Sequence, residues 1–230
     1  MSILRSTDVV CPACGAHVSF ELVHSVNGDR RPDLRAAILD GTFQLQACTS
    51  CGTAFRVDPE FTYLEVGAGA WLAVFPAADR KDWEARERRA TATLDTAFGA
   101  GAPAAARALG QRLRGRVVFG WAALSEKLRA WEAGIPDVDL ELLKVLLLRN
   151  GHAPSDPLAL EARLAGVDTD ATGAPTLRFS WVDPVDETVA GGIEVPRALL
   201  DDVAAPAWGE LRAELDGRLF VDAHRWTAGA

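Results

Sequence analysis

Apolar and polar positions alternate over most of the first 75 residues, which is the pattern of strands that bury one face. One helical segment interrupts them, Asp33–Asp40, where Pro32 suits the first turn and Gly41 suits the end. The predicted strands are Ile3–Val10, the stretch from His17 to Val26, a strand through Phe43 and Leu45, Thr53–Val57, Thr62–Val66 and Trp71–Phe75.

After Pro76 the apolar residues recur every three or four positions, which predicts helices. The segment Val138–Arg149 is apolar on nearly all sides, so we expect it to be a central, buried helix. Arg116–Phe119 fits either a strand or an extended link. The predicted helices of this part are Lys81–Phe98, Ala104–Leu113, Trp121–Ala133 and Val138–Arg149.

The last eighty residues mix the two patterns. They predict the helices Leu158–Leu164, Pro196–Asp202 and Trp208–Leu215 and the strands Thr176–Val182, Thr188–Glu194 and Arg218–Ala223. The chain is therefore predicted to be an α+β protein: a β-rich domain at 1–76, a helical part at 77–152 and a small C-terminal α+β module at 153–230.

Four cysteines, the only ones in the chain, form two C-x-x-C pairs, Cys11 with Cys14 and Cys48 with Cys51. Glycine follows each pair and suits a tight turn, because it adopts positive φ without a Cβ clash. Two such turns supply four thiolates, the number that a closed tetrahedral Zn²⁺ site requires. We therefore predict that 1–76 is a zinc-ribbon domain, packed on the helical layer, with Zn²⁺ bound by all four cysteines. The 33 residues between the pairs exceed the gap of a plain ribbon, so they should hold an insertion that folds back.

A redox role is the rival interpretation, since the first pair alone resembles a thioredoxin-type dithiol. That chemistry expects one C-x-x-C at the start of a helix, whereas here two pairs are each followed by glycine and lead into no clear helix. Disulfides are disfavoured because nothing marks the chain as secreted. Four thiolates leave no open coordination position, so we predict a structural rather than a catalytic zinc ion.

Net charge and hydropathy restrict the partners and the cell compartment that we expect for the chain. The net charge of −8 disfavours a general polyanion binder. The first residues lack an apolar segment with a cleavage site, so no signal peptide is predicted, and the longest apolar run, Val145–Leu148, is too short to span a bilayer. Together with four unoxidised cysteines, these features lead us to expect a cytoplasmic protein without a membrane partner.

The charges are unevenly distributed. Only arginines are charged between positions 96 and 125, whereas positions 132–216 hold 17 acidic and six basic residues. Pairing of these arginines with the acidic layer, in the same molecule or a neighbour, is the favoured interpretation. A phosphate or nucleic-acid site is the other, although no aromatic residues are interleaved with the arginines. The cluster is Arg107, Arg112, Arg114 and Arg116.

No catalytic residue is predicted, because no hydrolase, nucleotide-binding or metalloprotease motif is present. His17 and His24 are interpreted as ordinary strand histidines, and His152 with Ser155 and Asp156 as part of a turn. The isolated His224 carries no motif. Three tryptophans lie in the polar C-terminal layer, where an exposed one would suit a protein interface: Trp181, Trp208 and Trp226.

Several short runs carry a family resemblance: Cys11-Pro-Ala-Cys14-Gly15, Ser25-Val-Asn27, Asp33-Leu-Arg35, Ile38-Leu-Asp-Gly41, Cys48 with Cys51-Gly52, Val117-Val-Phe-Gly120, Glu126-Lys127-Leu128 and Glu141-Leu-Leu-Lys144. In these runs the chain resembles the CpXC family of bacterial and archaeal proteins, over about residues 1–150. Thr49 departs from the proline that is common there, which lowers the rigidity of the turn without removing a ligand. The resemblance implies the metal site and leaves the activity open.

The favoured function is a non-enzymatic zinc-binding protein that acts as a protein-interaction or scaffold module, with another protein or a second copy of the chain as partner. A nucleic-acid-binding zinc ribbon is the alternative and would require a continuous positive face across ribbon and arginines. A zinc- or dithiol-dependent enzyme comes third and would require a cleft with convergent polar groups.

Overall fold

A computed structural model describes residues 2–152 and 160–226, and in this part the chain is an α+β protein, as predicted. The strands are β1 (Ile3–Val10), β2 (His17–Asn27), β3 (Leu45–Ala47), β4 (Ala54–Arg56), β5 (Phe61–Glu65), β6 (Ala70–Phe75), β7 (Arg114–Phe119), β8 (Glu161–Thr169), β9 (Pro175–Val182) and β10 (Val189–Pro196). The helices are α1 (Pro32–Asp40), α2 (Trp83–Phe98), α3 (Ala104–Gly110), α4 (Gly120–Glu132), α5 (Asp137–Arg149), α6 (Leu199–Val203) and α7 (Gly209–Asp216).

A mixed sheet of five strands, in the order β1-β2-β5-β6-β7, forms the first layer. The β2/β5 and β6/β7 pairs are parallel, so each needs a crossover connection. Helix α1 and the separate β3–β4 hairpin make the first crossover, and α2 with α3 makes the second. Arg116–Phe119 is thus part of a strand, and the boundary predicted at residue 76 runs through this sheet.

Both faces of the sheet are covered by helices. Leu72 and Val74 of β6 pack in one core with α1 and α4, whereas Trp71, Ala73 and Phe75 pack in another with α2. All six residues of β6 are buried, as expected for a strand covered on both faces. This arrangement sets α4 between the sheet and the C-terminal part of the chain.

A third core surrounds α5, which packs against an antiparallel sheet in the order β10-β9-β8 and against α6 and α7. Leu140, Leu142 and Leu143 of α5 are fully buried. The prediction of a central, buried helix is therefore confirmed.

Two predicted elements of the C-terminal module are wrong. Residues 161–164 of the predicted helix Leu158–Leu164 begin β8, where Ala162 and Leu164 enter the core, and residues 158 and 159 lie outside the described part. The predicted strand Arg218–Ala223 is an irregular segment that makes one hydrogen bond to β7, from the Val117 N–H to the Leu219 carbonyl at 2.9 Å.

The tryptophans predicted as possible interface anchors are core residues. Trp181 and Trp208 are only 8% and 9% exposed and belong to the core around α5. The side chain of Trp226 lies outside the described part, as do Ser155 and Asp156. Among the described helices, none combines the length and hydrophobicity needed to cross a bilayer.

Candidate metal centre

The two cysteine pairs occupy the turns of two antiparallel hairpins. Cys11 and Cys14 lie in the connection from β1 to β2, next to the Val10–His17 pair that ends the ladder. Cys48 and Cys51 lie in the connection from β3 to β4, next to the Ala47–Ala54 pair. The predicted insertion, with its strand and helix, folds back and brings the two turns together.

The two turns have the same backbone hydrogen bonds. The Cys11 N–H donates to the Ala16 carbonyl and the Gly15 N–H to the Cys11 carbonyl, both at 2.9 Å. The Cys48 N–H likewise donates to Thr53 and the Gly52 N–H to Cys48, again at 2.9 Å. Gly15 and Gly52 have φ of +73° and +75°, which is the conformation for which glycine was expected. The threonine at position 49 leaves this geometry intact.

The four Sγ atoms lie within 4.8 Å of one another. The distance from Cys11 to Cys51 is 3.8 Å and that from Cys14 to Cys48 is 3.7 Å. Tetrahedral metal–sulfur bonds of about 2.3 Å place the sulfurs about 3.8 Å apart. A disulfide would need about 2.05 Å, and all four cysteines are free thiols. The site therefore has the donors and the spacing to bind one tetrahedral metal ion.

Local hydrogen bonds give the thiols of Cys14 and Cys51 very different pKa values. Hydrogen bonds from the Thr53 side chain and backbone lower the pKa of Cys51 to about 6. The Ala16 N–H lowers the pKa of Cys14, but hydrogen bonding to the other three thiols, above all Cys51, and the partial loss of solvent around the sulfur outweigh it and raise that pKa to about 12. A bound cation takes the place of such protons, because the ligand is the thiolate, and metal binding should release them.

Besides the sulfurs, a small apolar cluster and a few hydrogen bonds hold the metal-site turns together. Buried Cys11 and Cys48 form a small cluster with Val18, whereas Cys14 and Cys51 are exposed. The β3–β4 hairpin is attached to β2 by Gln44, which accepts from the Val23 N–H at 3.1 Å and donates to the Glu21 carbonyl at 2.9 Å, by Gln46, which donates to the Ser19 carbonyl at 3.1 Å, and by the contact of the Phe20 and Phe55 rings. At the turns themselves the sulfur cluster is the direct link.

The other predicted site residues do not join the metal centre. His17 and His24 are exposed on β2, and neither belongs to the sulfur cluster. Arg112 and Arg114 are exposed, and the Arg114 guanidinium lies 4.7 Å from the Trp131 ring centre. The remaining two members of the arginine cluster are engaged inside the molecule: Arg107 donates to the Ala102 carbonyl at 2.7 Å, and Arg116 pairs with Asp137 at 2.6 and 3.2 Å.

A buried network of ion pairs between α4 and α5 is the main feature that the sequence analysis missed. Lys144 of α5 donates to Glu126 of α4 at 2.7 Å and to Glu141 at 3.0 Å, and all three are fully buried. Lys127 contacts Glu141 at 3.3 Å. Burial raises the pKa of Glu126, but the charges of Lys144 and Arg163 outweigh it and hold that pKa below its ordinary value. The charged groups therefore compensate one another in the interior.

The C-terminal part of the chain completes this network. Arg163 of β8 bridges Glu126 at 3.0 Å and Asp222 at 2.8 Å. Lys127 also donates to the Val221 carbonyl at 2.5 Å, and the Ala223 N–H donates to Glu141 at 2.8 Å. One sequence signal was available: charged residues in a helix predicted to be buried on all sides must themselves be buried.

The fold and the site define a mixed α+β protein whose two hairpin turns present four thiols for one metal ion. The model of the CpXC protein family matches residues 9–144, so this chain belongs to the CpXC family. No curated protein and no solved structure matches the chain. The family match ends within α5, so β8 to α7 lie beyond it.

Proposed function

We propose that this chain is a non-enzymatic zinc-binding protein whose zinc ion is structural and whose task is to bind another protein. The observation that carries the proposal is the set of four sulfurs at tetrahedral spacing from Cys11, Cys14, Cys48 and Cys51. Four protein ligands leave no position for water or substrate, which is the mark of a structural site. The same feature disfavours a zinc-dependent enzyme.

Zinc is the metal we propose, because a tetrahedral set of thiolates suits zinc or iron, and zinc brings no redox chemistry. Protein purified without chelator is expected to contain one zinc ion per chain and to show no visible iron–thiolate absorption. X-ray absorption should give Zn–S distances of about 2.3 Å. Protein that is fully folded yet free of metal, or that contains iron, would contradict this part of the proposal.

The surface we propose for protein binding is the tip of the ribbon. Val10, beside Cys11, is 58% exposed and Leu45, on β3, is 48% exposed. Apolar side chains of this size that a rigid metal site holds in place are suited to be anchors of an interface. The partner is another protein or, by self-association, a second copy of this chain.

The test compares variants at the tip with one elsewhere. Val10→Glu and Leu45→Glu should abolish self-association measured by light scattering, or capture of a partner from the cells of origin. Val167→Glu on β8, where the valine is 37% exposed, is the matched control and should change neither. A monomer that captures the same proteins with or without the tip substitutions would overturn the proposed surface. The zinc measurement tests the metal site separately and would not be affected by that result.

Nucleic-acid binding is the second candidate, and one observation favours it. Exposed Arg114 lines a groove of about 620 Å³ together with Arg88 and Arg218. Two acidic residues share that groove, and Arg218 pairs with Glu87 at 3.3 Å, which lowers its positive charge. Binding of DNA or RNA at low salt that weakens when Arg112 and Arg114 become Ala would favour this candidate over the first.

A further inference from the structure

A cavity of about 550 Å³ lies between the CpXC part and the C-terminal sheet, away from the metal centre. Helix α4 forms one wall through Trp121, Ser125 and Arg129. The end of α1 and the link from β4 to β5 form a second wall, and β8, β9 and the β9–β10 loop form the third. Its volume is in the range of small-molecule sites, and such sites are common between two packed parts of a protein.

Much of the lining is apolar. The rim holds two of the most exposed large hydrophobic side chains among the described residues, Val185 at 83% and Val189 at 65%. A molecule that fills the cavity would cover them, which is favourable because apolar surface leaves water. The apolar residues of the lining include Leu39, Leu164, Val182, Val185 and Val189.

Most polar groups of the cavity already have partners. Glu187, from the β9–β10 loop, accepts a hydrogen bond from the Ala122 N–H at 2.7 Å in the first turn of α4. Ser125 donates to the Ile38 carbonyl at 2.9 Å, and Arg129 donates to the Leu39 carbonyl. Arg163 already forms ion pairs with Glu126 and Asp222.

Two buried polar atoms of the lining residues have no partner among the residues that the structure describes. The Arg56 Nε donates to the Phe43 carbonyl at 2.9 Å and its guanidinium lies 4.5 Å from the Trp121 ring centre, but its Nη2 donates to nothing. The Asp58 Oδ2 accepts from the Ala77 N–H at 2.7 Å, but its Oδ1 accepts nothing. One donor and one acceptor on residues that line the same cavity therefore lack a partner, which is costly unless a further molecule pairs with them. Both atoms are buried, so the two side chains must turn toward the cavity for a bound molecule to reach them.

We propose that this cavity binds a small molecule with an apolar body and a carboxamide-like group. The carbonyl oxygen of such a group accepts from Arg56 Nη2, and its N–H donates to Asp58 Oδ1. A carboxylate has no hydrogen to donate and would meet the charges of Asp58 and Glu187. The Arg56 Nη1 lies 4.0 Å from the Glu187 carboxylate, so a cation would satisfy Asp58 and leave only the Arg56 Nη2 without an acceptor. An amide supplies both functions at once.

Three flat probes of the same shape separate these possibilities: benzamide, benzoate and benzamidine. They are titrated into the isotope-labelled full chain at about pH 7.5, above the pKa of Asp58, which burial raises to about 6. Benzamide is expected to shift the resonances of the Trp121 indole N–H and the Ala122 amide, and to bind at least about tenfold more tightly than the other two. Equal binding of all three, or no shift at these positions, would overturn the proposal.

A substitution tests the roles of the two orphaned atoms. Asp58→Asn places an NH₂ group where an acceptor was, so benzamide should bind about tenfold more weakly and benzoate should bind more tightly than to the wild type. Glu194→Gln, an equivalent change at an exposed position of β10, is the control and should leave all three affinities unchanged. Unchanged benzamide affinity in folded Asp58→Asn protein would exclude the assigned contact.

Discussion

At the scale of single residues, Gly120 and Glu187 show how closely the C-terminal module fits the CpXC part. Gly120 begins α4 with φ of +78°, and a Cβ there would lie 2.6 Å from the Glu187 carboxylate oxygen. Glu187 itself has φ of +59° and accepts from the Ala122 N–H at 2.7 Å. A carboxylate at this place satisfies a free N–H and the positive end of the helix dipole.

Substitution of Gly120 by alanine should therefore cost more than the backbone strain alone. Gly134 has a similar φ of +67° and no atom of the described residues within 4 Å of its Cβ position, so Gly134→Ala should lower the free energy of unfolding by about 1–2 kcal/mol. Gly120→Ala also displaces Glu187, and we expect a further loss of about 1–2 kcal/mol. Urea denaturation of both variants measures the difference, and equal losses would refute the capping role of Glu187.

At the scale of elements, α4 and α5 are joined through charge as well as through apolar contact. Glu126 and Lys127 on α4 face Glu141 and Lys144 on α5, and all four are buried. These are the residues of two runs on which the family resemblance rested. Their role is structural, because a buried charge is tolerated only while its charged partners remain beside it.

Loss of one partner should be strongly destabilising. Lys144→Met keeps the length of the side chain but leaves Glu126 and Glu141 without their shared cation, so we expect a loss of about 3–5 kcal/mol. Arg178→Met breaks an exposed pair with Asp168, whose side chains are both 47% exposed, and should cost under about 1 kcal/mol. Similar losses in the two variants, measured by urea denaturation, would contradict a network held by buried charge.

The hairpin turns of the ribbon are the elements that should respond first to loss of metal. Their apolar cluster is small: Cys11, Val18 and Cys48 are buried, and Val9, Ala16 and Phe55 are only partly buried, so the packing that remains without the metal is weak. Chelation, or Cys14→Ser, should raise hydrogen exchange in Val9–Phe20 and Leu45–Arg56 and leave α5 protected. Exchange that rises throughout the chain, or nowhere, would contradict the local role of the site.

At the scale of the whole molecule, the irregular segment 218–223 joins the C-terminal end to the core beside α2, through Leu219 and Phe220, and to the core around α5, through Val221. The Leu219 and Phe220 N–H groups donate to Glu87 of α2, at 2.7 and 2.9 Å. The His224 Nε2 accepts from the Ala162 N–H at 3.2 Å, and the His224 N–H donates to Asp222. Backbone N–H groups that donate to side chains cannot also donate to a neighbouring strand, which explains why no strand forms here.

The burial of His224 predicts a pH dependence. Burial lowers its pKa from 6.5 to about 3, so between these pH values the unfolded chain binds a proton at this residue and the folded chain does not. Stability contributed by His224 therefore falls as the pH is lowered. His224→Gln removes this loss, and at about pH 4.5 the variant should gain about 2–3 kcal/mol relative to wild type, compared with their difference at pH 7.

Urea denaturation of both proteins at the two pH values tests this prediction. Asp58 acts in the opposite direction, because burial raises its pKa from 3.8 to about 6, but it is common to both proteins and cancels in the comparison. Lys127 and Arg116 lower the pKa of Asp137 to about 2 in spite of its burial. The stability that this carboxylate contributes is therefore lost only below about pH 4. Parallel pH profiles of the two proteins would show that His224 does not titrate as proposed.

The sequence by itself determined the features that depend on neighbouring residues. The C-x-x-C-Gly turns follow from the need for positive φ after each pair, and both glycines have it. The burial of α5 follows from its apolar residues on every side, because such a helix must be covered. The α+β class and most strands follow from the same local periodicities.

Tertiary structure alone decided which distant groups meet. Arg114 and Arg116 are two residues apart in β7 and so lie on the same face of the strand, yet Arg116 is buried against Asp137 and Arg114, at the first residue of the strand, is exposed. The cavity exists only where the link after β4 faces α4 and the β9–β10 loop, which the chain brings together from positions more than 60 residues apart. Periodicity reports which face of an element is buried and carries no information about what covers it, so these contacts could be known only from the folded chain.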